Sequence, residues 1–145
     1  MNWLSDKSVG RLQAAIDFPD LTGTKYRILR REARGGMATV YLAEDTVLGR
    51  NVALKVMDVY GTDTALRMQQ EANVIARLEH PGIVPVHDVG TLPDGRIYYT
   101  MKFVKGDRLD QYTKRVNSTR DRLHVFRKVC EAMAFAHDRG VVHRD

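Results

Sequence analysis

The chain has 145 residues, of which 43% are hydrophobic and 28% charged, a composition typical of a globular protein with one hydrophobic core. Its formal net charge of +5 would suit an anionic partner, but the basic residues are spread along the chain, so a solvated surface is the simpler interpretation. A single cysteine excludes an internal disulfide, and no apolar run approaches the roughly 20 residues of a membrane helix, so we expect a cytoplasmic protein.

The predicted elements run from an N-terminal arm to a long helix. Residues 1–25 form the arm, which lacks the apolar stretch of a secretory signal and ends in a segment that contains proline and glycine. Short β-rich runs between turns then predict strands, and apolar positions at helical spacing predict helices. The predicted strands are 26–29, 39–43, 52–57, 83–89 and 97–103, and the predicted helices are 64–78 and 119–137.

The last predicted helix has one apolar face. Leu123, Phe126, Cys130 and Met133 recur at helical spacing, so this face requires a partner. We interpret Cys130 as a small core residue of that face. Ser118 is the expected N-cap of the helix.

Lys55 lies in an apolar strand, on the same side as Ala53 and Met57, because side chains alternate along a strand. We expect that side to be covered, and a buried ammonium is costly unless it is paired. Glu71 lies on the inward stripe of the following helix, so the two charges predict an ion pair. In the alternative interpretation, Lys55 extends to solvent at a sheet edge and Glu71 is simply solvated.

A glycine turn precedes the Lys55 strand. Residues 33–40 read Ala-Arg-Gly-Gly-Met-Ala-Thr-Val, and a turn of such small residues lets backbone N–H groups approach phosphate oxygens. Most isolated turns of this kind are only hairpins. A glycine turn, a Val-Ala-Leu-Lys strand, a helix glutamate and a His-Arg-Asp sequence at 143–145 follow one another here, and this order favours phosphate binding.

This order of motifs resembles the protein kinases, and the resemblance covers about residues 26–145. The runs most similar to bacterial Ser/Thr kinases are 26–29, 35–37, 40–43 and 80–86. The resemblance implies an α+β fold, in which an antiparallel five-stranded sheet and one helix form an N-lobe and the first helices of a C-lobe follow. The implied division is an arm at 1–25, the N-lobe and hinge at 26–104, and the start of a C-lobe at 105–145, truncated at the catalytic loop.

The activity that the resemblance implies is transfer of the γ-phosphoryl group of ATP to a protein hydroxyl, with Mg²⁺ as the metal. Lys55 would hold the α- and β-phosphates, and Glu71 would pair with Lys55. Asp145 would accept or orient the proton of the substrate hydroxyl. Arg144 would respond to an activation loop, and His143 would be structural.

The resemblance also implies a nucleotide pocket. Val40 and Ala53 would flank the adenine ring, Met101 would stand at the back of the pocket, and the hinge at 102–104 would bind adenine, with the Val104 N–H as donor. The implied cofactor-binding residues are Ala33, Arg34, Gly35, Gly36, Met37, Ala38, Val40, Ala53, Lys55, Met101, Lys102 and Val104.

Two features depart from the family pattern. Ala33 and Ala38 replace the first and third glycines of the turn, which weakens nucleotide binding by about 1 kcal/mol per strained site. The Mg²⁺ ligands of the family are a catalytic-loop Asn and the Asp of Asp-Phe-Gly, both expected beyond residue 145. We therefore expect no metal site in this chain, weak ATP binding and no activity of the chain alone.

Partners are predicted less closely than the site. The protein substrate is not given by the sequence, and the exposed face of the last helix predicts self-association. An alternative to the enzyme is a noncatalytic nucleotide-binding or scaffolding module, which the altered glycine turn favours. A nucleic-acid binder is favoured by the net charge alone, so we expect no nucleic-acid partner.

Overall fold

The computed structural model describes residues 18–58, 62–116 and 118–143, without the side chains of 62–65 and 68. These residues form five strands and three helices. The strands are β1 (Tyr26–Arg34), β2 (Ala38–Asp45), β3 (Arg50–Met57), β4 (Val86–Thr91) and β5 (Ile97–Lys102). The helices are α1 (Thr62–Ala76), α2 (Leu109–Arg115) and α3 (Thr119–His137).

The strands form one sheet in the order β1-β2-β3-β5-β4, and every neighbouring pair is antiparallel. Helix α1 packs against β4 and β5. The expected α+β class, with an antiparallel five-stranded sheet, one packed helix and further helices after it, is confirmed. The exact division of the chain at residue 104 stays a prediction.

The two faces of the sheet carry separate clusters of buried side chains. The larger one, which we call the outer core, consists of Tyr26, Tyr41, Ala43, Val52, Leu54, Val56, Leu92 and Tyr98. The smaller one, the inner core, contains Ala72 of α1 and Tyr99 of β5, with Met57, Val86, Val89, Ile97 and Met101 packed around them. Because side chains alternate along β3, Leu54 enters the outer core while Lys55 stays on the inner face.

Helix α3 begins at the predicted cap, since the Ser118 hydroxyl accepts a hydrogen bond from the Asp121 amide at 3.3 Å. No residue of α3 is buried, and Leu123 and Phe126 are largely exposed, as expected for a face without a partner. The interpretation of Cys130 as a core residue is wrong, because its side chain is exposed. Self-association through this face stays a prediction. None of the described helices has the length and hydropathy to cross a bilayer.

The largest differences between the predicted and observed elements are two strand boundaries and one additional helix. Strand β1 extends to Arg34, because its pairing with β2 continues up to the glycine turn. Strand β4 begins at Val86 rather than at residue 83, after Pro85, which has no N–H to donate to a ladder. The short helix α2 is not among the predicted elements. None of its residues is buried, so its sequence has no apolar face that could indicate a helix.

Candidate functional site

Lys55 and Glu71 lie together at the edge of the inner core. The Lys55 ammonium is 3.5 Å from the Glu71 carboxylate, so the solvated alternative does not describe this arrangement. The Lys55 side chain is 28% exposed and that of Glu71 53%, so the expected burial of Glu71 is wrong. The physical reason is the orientation of α1, which presents Ala72 to the sheet and leaves Glu71 at the rim.

A third group, Tyr99, joins this pair. Tyr99 lies directly opposite Lys55 in the pairing of β3 with β5. Its hydroxyl donates a hydrogen bond to Glu71 Oε1 at 3.4 Å, and its ring centroid is 5.3 Å from Lys55 Nζ. The sequence motifs do not identify Tyr99 as a site residue. The available signal was its position two residues before Met101, which places both on one face of β5.

The charges of these groups are set by their surroundings. Burial alone would lower the pKa of Lys55, but its contacts with Tyr99 and Glu71 raise it by more, so the pKa of Lys55 lies above its ordinary value. Burial raises the pKa of Tyr99 and outweighs the Lys55 ammonium, which lowers it. At neutral pH the site therefore contains an ammonium ion and a neutral phenol, whose O–H can donate a hydrogen bond.

The strand register brings the predicted adenine-contacting residues to the face that holds Lys55. Val40 lies opposite Lys55 in the pairing of β2 with β3, and Ala53 lies opposite Met101 in the pairing of β3 with β5. Directly opposed residues of antiparallel strands project to the same side of a sheet. Val40, Ala53 and Met101 are therefore neighbours on one apolar surface beside the Lys55 ammonium.

The glycine turn joins β1 to β2 and lies beside Met57, at the C-terminal end of β3. The Gly35 amide donates to the Ala38 carbonyl at 2.8 Å, and the Met37 carbonyl accepts from the Asp58 amide at 3.0 Å. Ala33 and Arg34, at the end of β1, and Gly36, in the turn, are exposed. The amides of Gly36 and Met37 have no acceptor within the described part of the chain, so they can donate to a ligand.

The predicted hinge follows β5. The Lys102 amide donates a hydrogen bond to the Pro85 carbonyl at 3.1 Å, so this amide is not available to a ligand. The Val104 amide has no acceptor among the residues that the structure describes, and its side chain is exposed. Of these two hinge amides, only that of Val104 is free to donate to a ring nitrogen.

The His-Arg-Asp sequence lies at the limit of the described residues. His143 is exposed, and it follows a turn in which the Val141 amide donates to the Ala136 carbonyl at 3.0 Å. The predicted catalytic residue Asp145 and its neighbour Arg144 lie outside the described residues. Across 18–58, 62–116 and 118–143, no three His, Cys, Asp or Glu side chains form a group that could hold a metal ion. These residues therefore do not fit Mg²⁺ as a metal bound by protein ligands alone.

The donor set fits ATP better than it fits the metal. One face of the sheet carries an apolar strip, which consists of Val40, Ala53 and Met101, and the Lys55 ammonium lies beside it. Backbone amides without acceptors lie at the two ends of this strip, in the glycine turn and in the hinge. Nucleotide sites are mostly apolar with a few well-placed polar groups, and phosphates are bound by backbone amides and by lysine. The residues present therefore suit a ligand with a flat ring at one end and an anionic tail at the other.

Comparison with known proteins gives a consistent assignment. The family model described as the protein kinase domain matches residues 26–145. The chain is 40% identical over 136 residues to a probable serine/threonine-protein kinase PknB of Lactococcus lactis, covering 90% of this chain and 22% of that protein. It is 39% identical over 127 residues to the serine/threonine-protein kinase PrkC of Bacillus subtilis, covering 83% of this chain and 19% of that protein.

A solved structure supports the same assignment. The crystal structure of the PknI kinase domain of Mycobacterium tuberculosis matches with a TM-score of 0.66 and 32% identity, over 86% of this chain and 53% of that one. The chain thus spans about a fifth of the length of the curated relatives and about half of this solved kinase domain. The chain belongs to the protein kinase family, of the bacterial Ser/Thr type.

Proposed function

We propose that this chain is the ATP-binding part of a Ser/Thr protein kinase that transfers the γ-phosphoryl group of ATP to a protein hydroxyl. One observation carries the proposal: the Lys55 ammonium, paired at 3.5 Å with Glu71, adjoins the apolar strip formed by Val40, Ala53 and Met101. A cation next to a flat apolar surface suits a ligand that joins an aromatic base to a polyphosphate.

Each residue has a role that its position supports. Val40, Ala53 and Met101 exclude water around the adenine ring, and the free Val104 amide donates to the ring edge. Lys55 remains charged at neutral pH and holds the phosphates by charge-assisted hydrogen bonds.

The glycine turn contributes backbone donors instead of charge. Its amides at Gly36 and Met37 have no acceptor among the described residues, and in this proposal they donate to phosphate oxygens. Ala33 and Ala38 add methyl groups to this turn, so we propose that binding is weak.

Phosphoryl transfer is proposed for the whole protein and not for these 145 residues. In this family Mg²⁺ neutralises the charge that develops on the transferred group. The described residues offer no such metal site, and Asp145 would accept or orient the proton of the substrate hydroxyl. The protein substrate is unspecified, and a cytoplasmic location, where ATP is present, stays part of the proposal.

Titration calorimetry with ATP and with adenosine tests the nucleotide site. We expect ATP to bind more tightly than adenosine, and Lys55→Met to reduce ATP affinity by about 10- to 100-fold, which is the contribution of a charged hydrogen bond. Adenosine affinity should be unchanged in this variant. Lys114→Met is the matched control, because Lys114 is an exposed lysine of α2, 59 residues after Lys55, and it is not one of the proposed site residues.

Two outcomes would contradict the proposal. Equal affinities for ATP and adenosine would show that the chain has no phosphate site. Equal effects of the two lysine variants on ATP affinity would show that Lys55 acts only as a general surface charge. Repeating the titration with and without Mg²⁺ separates the enzyme from the alternative. ATP binding that tightens when Mg²⁺ is present favours the kinase, whereas absent ATP binding favours a noncatalytic scaffolding module.

A further inference from the structure

Tyr99 occupies an unusual position between the sheet and helix α1. Its side chain is 3% exposed and belongs to the inner core with Ala72, which is fully buried on α1. Tyrosine combines an apolar ring with a polar tip, so it can fill a core and still reach a polar group at the rim. Here the ring fills the space under α1, and the hydroxyl reaches Glu71 at 3.4 Å.

Three contacts make Tyr99, Lys55 and Glu71 one group. The phenol donates to the carboxylate, the ammonium lies 3.5 Å from that carboxylate, and the ammonium is also 5.3 Å from the ring centroid. A cation within about 6 Å of an aromatic centroid is attracted by the ring. Tyr99 therefore contacts both partners of the ion pair.

The ion pair alone is a weak restraint on α1. Exposed ion pairs stabilise proteins little, because water and salt screen them, and more than half of the Glu71 side chain is exposed. Tyr99 is held by the packed core and is therefore rigid, so its hydroxyl gives Glu71 a partner that does not move with solvent.

The neighbouring Tyr98 provides an internal comparison. It is also buried, at 7% exposed, but it projects into the outer core, where its ring lies 5.9 Å from that of Tyr26. Its hydroxyl makes no hydrogen bond within the described residues. Two adjacent tyrosines of β5 thus have similar burial, and only Tyr99 contacts the ion pair.

We propose that Tyr99 is a positioning residue, which anchors Glu71 and α1 to the sheet and directs the Lys55 ammonium toward the phosphates of the nucleotide. The proposal rests on the ATP site proposed above. It goes further in making the alignment of Lys55 depend on a phenol from β5 in addition to the helix glutamate. Removing that phenol should act on phosphate binding and on the docking of α1, and not on the adenine end.

The test compares Tyr99→Phe with Tyr98→Phe, since each removes one hydroxyl from a buried tyrosine and keeps the ring. Calorimetry should show ATP affinity reduced by about three- to tenfold in Tyr99→Phe, a modest loss because the hydrogen bond is long and Glu71 is half-exposed. Adenosine affinity should be unchanged. Tyr98→Phe should leave both affinities as in the wild type.

Hydrogen exchange of the amides in α1 is a second readout that requires no nucleotide. Exchange over Thr62–Ala76 should become faster in Tyr99→Phe and stay unchanged in Tyr98→Phe. Unchanged exchange in Tyr99→Phe would overturn the proposal, as would an equal loss of ATP and adenosine binding, which indicates general loosening of the fold. If the wild-type chain binds no ATP, the proposed function fails, and the exchange of α1 alone decides the role of Tyr99.

Discussion

Asp58 links the glycine turn to the rest of the sheet by hydrogen bonds. Removing one of the hydrogen bonds that Asp58 makes should lower the stability of the folded chain. The Thr39 hydroxyl, which is buried in β2, donates to Asp58 Oδ2 at 2.7 Å, and the Asp58 amide donates to the Met37 carbonyl at 3.0 Å. Arg96 Nη1 lies 3.9 Å from the other carboxylate oxygen. Asp58 therefore connects the turn, the end of β3 and the β4–β5 turn.

The change that isolates this connection is Thr39→Val, which replaces the hydroxyl by a methyl group. A hydrogen bond to a charged group contributes about 1.5–3 kcal/mol. The Asp58 side chain is 24% exposed, so water can satisfy part of the lost bond. We therefore expect the free energy of unfolding to fall by about 1–2 kcal/mol.

Urea unfolding followed by circular dichroism measures this difference. The midpoint should fall while the slope with denaturant stays constant, because the surface exposed on unfolding is unchanged. Thr91→Val is the control, since Thr91 is an exposed strand residue. In a chain that also carries Asp58→Ala, the Thr39 change should cost little more. An equal effect of Thr39→Val and Thr91→Val, or full additivity with Asp58→Ala, would refute the reasoning.

Two further predictions concern the outer core. A methyl group at Gly90 would lie 2.6 Å from the Tyr98 ring, so Gly90→Ala should lower the free energy of unfolding by about 1–3 kcal/mol in urea, while Gly36→Ala, which meets no atom within 4 Å, should not. Burial raises the pKa of Tyr26, Tyr41 and Tyr98, so the folded state keeps protons that the unfolded state loses above about pH 10. Urea midpoints should therefore fall between about pH 9 and 11, and a midpoint that stays constant over this range would contradict this assignment.

Most strands and long helices could be predicted from local pattern. The run Val52–Met57 is rich in β-branched residues, and its side chains are expected to alternate between two faces. The observed pairing with β2 shows the same alternation. The N-cap at Ser118 is also local, because the side chain bonds an amide three residues away. The start of β4 was missed because Ile83 and Val84 are as apolar as the residues of the strand itself.

Burial was harder to predict than secondary structure. Cys130 has the helical spacing of a core residue, yet it is exposed, because spacing shows that residues share a face and not whether another element covers it. Glu71 shares its stripe with apolar residues, but the rotation of α1 makes Ala72 the buried residue. A rotation of one residue, about 100°, is within the width of an apolar stripe.

By itself, the sequence determined the family, the order of the elements and the pairing of Lys55 with a helix glutamate, since a charge on an apolar strand requires a partner and few are available. The tertiary structure alone decided that Tyr99 completes this pair. Lys55 and Tyr99 are 44 residues apart and meet through the antiparallel register of β3 and β5. Nothing local to either strand specifies that register, because it arises from the packing of both strands against the cores of the sheet.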